Sequence, residues 1–199
     1  MALSATEYLN GVLRTANLTL STEQQIDNCL ISIQGEWGEV ANYVKKTLYH
    51  GKAFDPEILV NELGDALFYI FWLNRAINPE FTGESFNHMF KSQFSQYLGQ
   101  YREDLTCAEH AYQVITSLSI LNTRAISVMR NFQLGNTVSS TFCEQIEISS
   151  QSLLKTLALF SLSCSLGCSY GFIAQKNIEK LLKRYPKGFS HQASENREV

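Results

Sequence analysis

An all-α antiparallel helical bundle is the fold class this sequence predicts, and three observations carry the prediction. Only three prolines interrupt 199 residues. Apolar residues recur at helical spacing over long stretches, without the alternation of a strand. Helix-start signals recur along the chain: Ser4-x-x-Glu7, Ser21-x-x-Gln24, Thr106-x-x-Glu109 and Thr141-x-x-Glu144 have the form of capping boxes, in which two side chains satisfy the unpaired N–H groups of a first helical turn. Asp55-Pro56 has the form of an N-cap followed by proline at the first helical position, where its missing N–H costs nothing.

These signals place helices in order. The first spans 5–15, behind the Ser4 box. The second spans 22–49, from the Ser21 box to a stop at His50-Gly51, where glycine tolerates the left-handed turn that ends many helices. The third, 56–77, starts at Asp55-Pro56. Patterning places further helices at 83–101, 107–133 (stopping at Gly135-Asn136), 142–168 and 172–184. The third and sixth overlay at an offset of 90, Leu63 on Leu153 and Leu67 on Leu157, and the same offset lays Asn87 on Asn177. An offset of 84 lays Val40–Gly51 over Arg124–Gly135. A degenerate tandem repeat, a fused pseudo-dimer, is therefore expected: a half over 1–105 and a second over 106–199, packed as one globular unit.

Composition excludes several classes. Apolar residues make up 45% and charged residues 18%, the balance of a globular chain. A net charge of −3 gives no broad positive surface for nucleic acid. Five cysteines, an odd number without CxxC spacing, form neither a disulfide framework nor a zinc site. The stretch 156–175 has no charged residue, but its serines and glycines fit a buried helix better than a membrane span. The opening MALSATEYLN lacks the form of a secretory leader, so the cytoplasm is the expected compartment. Apolar faces carrying Phe68, Phe71 and Trp72 exceed what one helical hairpin buries, and a homodimer is expected on that ground.

The chemistry-bearing pattern is Glu36-x-x-Glu39 followed by Glu62-x-x-Asp65. A spacing of three puts each pair on one helical face, about 5–6 Å apart between Cβ atoms. A short connection makes the two helices an antiparallel hairpin, so the four carboxylates face one another. Their neighbours are apolar: Glu36 lies on the line Ile33–Glu36–Val40–Val44, and Glu62 and Asp65 on Ile58–Glu62–Asp65–Tyr69–Trp72. Acids in such stripes lose hydration and repel one another. A divalent cation with oxygen ligands offsets both effects. An all-oxygen set favours Mg²⁺ or Mn²⁺ over iron, and the chain has no Glu-x-x-His of the kind carboxylate-bridged dimetal bundles add.

Gly35-Glu36-Trp37-Gly38-Glu39-Val40, Lys45-Lys46-x-x-Tyr49-His50-Gly51 and Glu62-Leu63-Gly64-Asp65-Ala66-Leu67, followed by Asn177-Ile178-Glu179-Lys180-Leu181-Leu182-Lys183-Arg184-Tyr185-Pro186, resemble the MazG-like all-α nucleoside triphosphate pyrophosphohydrolases. The resemblance covers 5–78 and 172–190. The chain departs from the short members of that family in its long insertion, 79–171, where the repeat register puts Ser152 and Lys155 at the positions of Glu62 and Asp65. The resemblance implies a Mg²⁺-dependent hydrolase that releases a monophosphate and pyrophosphate from a nucleoside triphosphate, with a role in cleansing the nucleotide pool. It implies Glu36, Glu39, Glu62 and Asp65 as metal ligands and Glu36 or Glu39 as the group that positions water. Asn177, Lys180, Lys183, Arg184 and His50 are candidates for the phosphates, and Tyr185 or Trp37 for the base. Two other readings are a carboxylate-bridged dimetal bundle and a non-enzymatic helical interaction module.

Overall fold

The computed structural model describes residues 3–88, 119, 123 and 170–195. Helix α1 (Ala5–Thr15), α2 (Thr22–Tyr49), α3 (Pro56–Ile77), α4 (Tyr170–Arg184) and the short α5 (His191–Glu195) make up its named elements, and residues 83–88 are also helical. Among the described residues the chain is all-α. An isolated bridge pairs Pro186 with Gly188. No helix among these residues is long and apolar enough to cross a membrane.

The start signals act where the sequence places them. Ser4 caps α1 and Ser21 caps α2, each in a complete reciprocal box with Glu7 and Gln24. The Asp55 carboxylate accepts from the Glu57 N–H at 2.9 Å, one residue before Pro56 opens α3. Gly51 ends α2 at φ +70°, a conformation that costs a side chain about 1–2 kcal/mol. The first three helices keep the expected bounds, and α4 starts two residues earlier than patterning gives. The helix expected at 142–168, all but residues 119 and 123 of the one expected at 107–133, residues 89–101 of the one expected at 83–101, the Thr106 and Thr141 boxes, the Gly135-Asn136 stop and the repeat partners of 56–77 lie outside the described residues.

The central element is α3, which packs against α1, α2 and α4. Its buried residues include Leu59, Val60, Leu63, Leu67, Ile70, Phe71 and Leu73, which lie on more than one side of the helix. α2 lies alongside it as the second arm of the hairpin. The Tyr43 hydroxyl pins the connecting loop, accepting from the Asp55 N–H at 2.5 Å and donating to the Asp55 carbonyl at 2.7 Å. On the other side, Tyr8 of α1 meets Phe71 edge-on, 4.8 Å between ring centres. Phe68, Phe71 and Trp72 are all buried within this one chain. They therefore give no argument for a second copy.

Candidate metal centre

The hairpin brings its acidic pairs together. One carboxylate oxygen from each of Glu36, Glu62 and Asp65 lies within 4.8 Å of the other two. All three side chains are half-buried, because each sits in a stripe whose other members are core or partly buried: Ile33, Val40 and Val44 on α2, Ile58, Tyr69 and Trp72 on α3. Glu39 is more exposed. It lines the same cleft and shares a hydrogen bond with Glu62. The tight cluster is thus three carboxylates, with Glu39 at its edge.

The electrostatics follow from this crowding. Burial pushes the Glu36 carboxyl up to about 8, and the negative charges of Asp65, Glu39 and Glu62 push in the same direction. Burial also raises Glu62, helped by the charge of Glu39, by their shared hydrogen bond and by Asp65. Two ionised carboxylates cannot share a hydrogen bond, so that bond favours a proton on Glu62. Lys180 pulls both groups the other way, but burial and the neighbouring acids outweigh it.

Asp65 is held differently. Its Oδ2 accepts from Lys180 Nζ at 2.5 Å and its Oδ1 from Asn177 Nδ2 at 2.8 Å. Both donors come from α4, more than a hundred residues away in the chain. Gly64 makes the approach possible. A Cβ on Gly64 would stand 2.9 Å from the Asn177 Cβ, closer than packed carbons tolerate. Asn177 and Lys180, expected from the C-terminal segment, thus reach Asp65 from far along the chain.

The carboxylates line a cleft of about 700 Å³, within the range of small-molecule sites. α2 contributes the stripe Asn28, Ser32, Glu36 and Glu39, and α3 contributes Asn61, Glu62, Asp65, Phe68, Tyr69 and Trp72. Because the helices are antiparallel, Glu39 and Glu62 share one end and Asn28 and Trp72 the other. The indole Nε1 of Trp72 donates to Gln25 Oε1 at 2.8 Å, fixing the aromatic end. Lys180, Leu181 and Arg184 of α4 and Tyr185 just past its end form the opposite wall, and Phe189 and Ser194 lie beyond it.

The remaining expected residues divide. Arg184 and Tyr185 line the cleft, Tyr185 as a buried wall residue. Lys183 is exposed and is not among the lining residues; nor are Trp37, half-buried against the core, and His50, exposed at the C-cap of α2. Sequence reasoning passed over Asn28, Asn61 and Tyr8. The two asparagines had a legible signal, since Asn28 continues the Glu36 stripe at helical spacing and Asn61 flanks Glu62. Tyr8 had none: its pattern is that of any core tyrosine.

As a donor set, three half-buried carboxylates within one cation's reach suit a hard divalent ion. Mg²⁺ or Mn²⁺ fits this all-oxygen chemistry. No family model, curated protein or solved structure matches the chain.

Proposed function

We propose that this chain is a Mg²⁺-dependent nucleoside triphosphate pyrophosphohydrolase of the MazG-like kind, releasing a nucleoside monophosphate and pyrophosphate. The observation that carries the reading is the convergence of Glu36, Glu62 and Asp65, tied through Asp65 to Lys180 and Asn177, at one end of a nucleotide-sized cleft.

Mg²⁺, or Mn²⁺ in its place, supplies a Lewis acid that neutralises phosphate oxygens and activates water. The chain's own residues do the rest. Glu36, Glu62 and Asp65 would hold the ion, with Glu39 beside them at the exposed edge of the cluster. Lys180 and Arg184 offer cationic donors to phosphate oxygens, and Arg184 does so with a planar fork. A glutamate carboxylate at the cluster, Glu36 or Glu39, takes the proton of the attacking water. Phe68, Tyr69, Trp72 and Tyr185 give the far end of the cleft the apolar faces a nucleobase stacks on. The cytoplasmic nucleotide pool is the setting for such an activity.

The test is product identity across a nucleotide panel with Mg²⁺. Pyrophosphate and a monophosphate should appear in equal amounts, and Glu62→Ala should lower kcat/KM on the order of a hundredfold. Release of orthophosphate, or unchanged activity in that variant, contradicts the reading.

A further inference from the structure

Tyr8 lies on α1, outside the hairpin that carries the acids, yet its hydroxyl ends in the same network. It is fully buried, and Asn177 is 1% exposed. The phenol donates to Asn177 Oδ1 at 2.9 Å, and the Gly64 carbonyl stands at 3.5 Å. On its other side Asn177 donates through Nδ2 to Asp65 Oδ1 at 2.8 Å. The chain of contacts thus runs Tyr8, Asn177, Asp65, with Asn177 accepting at Oδ1 and donating at Nδ2.

A carboxamide has two nearly isosteric ends, and packing alone does not distinguish them. Facing Asp65, the two are opposites: Nδ2 attracts the carboxylate and Oδ1 repels it. Asp65, which only accepts, draws Nδ2 from one side, and the Tyr8 hydroxyl secures the same orientation from the other by donating to Oδ1. The Tyr8 proton stays on, because burial first and the charge of Asp65 second hold its pKa well above the ordinary value. A buried O–H that keeps its proton needs an acceptor, and the carboxamide oxygen is the nearer of the two within reach. The oxygen is therefore turned to Tyr8 and the amide N–H to Asp65.

We infer that Tyr8 is a positioning residue for the metal centre: its hydroxyl fixes the Asn177 carboxamide so that Nδ2 holds Asp65 in the orientation in which it ligates the cation. The cation is part of the function proposed above, and the inference rests on that reading to this extent. Tyr8 touches neither the ion nor the substrate. It acts through Asn177, and Lys180 secures the other oxygen of Asp65 independently.

Tyr8→Phe removes the hydroxyl and leaves the ring on Phe71. In the full-length protein without nucleotide, Mn²⁺ affinity followed by electron paramagnetic resonance should weaken on the order of tenfold, the scale for losing a group that orients a ligand. Asn177→Ala should weaken it by a similar factor, and adding Tyr8→Phe to Asn177→Ala should change it no further. A purely structural tyrosine gives the opposite result, the same loss whether or not Asn177 is present. The Asn177 side-chain amide protons, followed by NMR in metal-free protein, supply a readout independent of the ion. They should resist solvent exchange in the parent and lose that protection in Tyr8→Phe. Unchanged Mn²⁺ affinity in Tyr8→Phe, additive losses in the double variant, or unchanged amide protection overturns the inference. Failure of the parent itself to bind Mn²⁺ overturns the metal reading, and the amide protons then still decide whether Tyr8 orients Asn177.

Discussion

At the scale of single residues, the centre is governed by the cost of holding acids in an apolar wall. Glu36 and Glu62 both keep their protons to higher pH than free glutamate does. The folded chain then binds more protons than the unfolded chain between about pH 4.5 and 8. The stabilisation is complete below the lower limit and is lost as pH rises through the upper one. Glu7 and Glu23 shift the other way, held low by hydrogen bonds at the N-termini of their helices, so their contribution fades only under acid conditions. Metal-free protein should therefore be most stable near pH 5, and its Tm should fall by several degrees towards pH 8. Saturating Mg²⁺ should remove most of that decline, because the ion favours the ionised carboxylates. Thermal unfolding in EDTA and in Mg²⁺ across this range checks both parts; a metal-free Tm that rises from pH 5 to 8 contradicts the account of the acids.

Single residues also show what was legible in the sequence. A glutamate in the line Ile33–Glu36–Val40–Val44 is conspicuous because helical spacing alone says that its neighbours are core. Lys183 and His50 stand outside the cleft for a reason of geometry. Lys180 and Arg184 are four apart and share a face, whereas Lys183 is exposed. His50 sits roughly 20 Å further along α2 than Glu36, at the rise of an α-helix. Trp37 is one residue from Glu36, which turns it about 100° away from the cluster.

At the scale of elements, the decisive contact is α3 against α4. The starts of α1, α2 and α3 were legible because caps and Asp55-Pro56 are local signals. The meeting of Asp65 with Asn177 was not, because it depends on two helices far apart in the chain approaching at Gly64. A glycine in a helix looks only like a weak helix former until its neighbour is known. Gly64→Ala should cost about 1–3 kcal/mol of stability, the usual cost of overpacking. It should also weaken Mn²⁺ binding, since pushing α4 away draws Asn177 and Lys180 off Asp65. Gly38→Ala is the matched control. Among the described residues nothing lies within 4 Å of the Cβ it would add, so it should be neutral or stabilise by up to about 1 kcal/mol through helix propensity. Denaturant unfolding of both variants checks this; equal behaviour of the two would remove close α3–α4 packing from the account.

At the scale of the molecule, three separate parts of the chain build one site. The α2–α3 hairpin supplies the carboxylates, α4 supplies the donors that hold Asp65, and α1 closes the far side through Tyr8. The hairpin is local in sequence, and its acidic pattern was enough to place the cluster. The other two parts converge on it only through packing, with the hydrophobic core of α3 as the common surface. This arrangement makes the centre dependent on the packing of these four helices.

The central claim is that Glu36, Glu62 and Asp65 form a binding site for a divalent cation. Titration of metal-free protein with Mn²⁺, followed by electron paramagnetic resonance with and without Asp65→Asn, tests it most directly. The account predicts saturable Mn²⁺ binding that Mg²⁺ displaces and that Asp65→Asn weakens at least about tenfold. No saturable binding by the parent protein, or the same affinity in the folded variant, would contradict it.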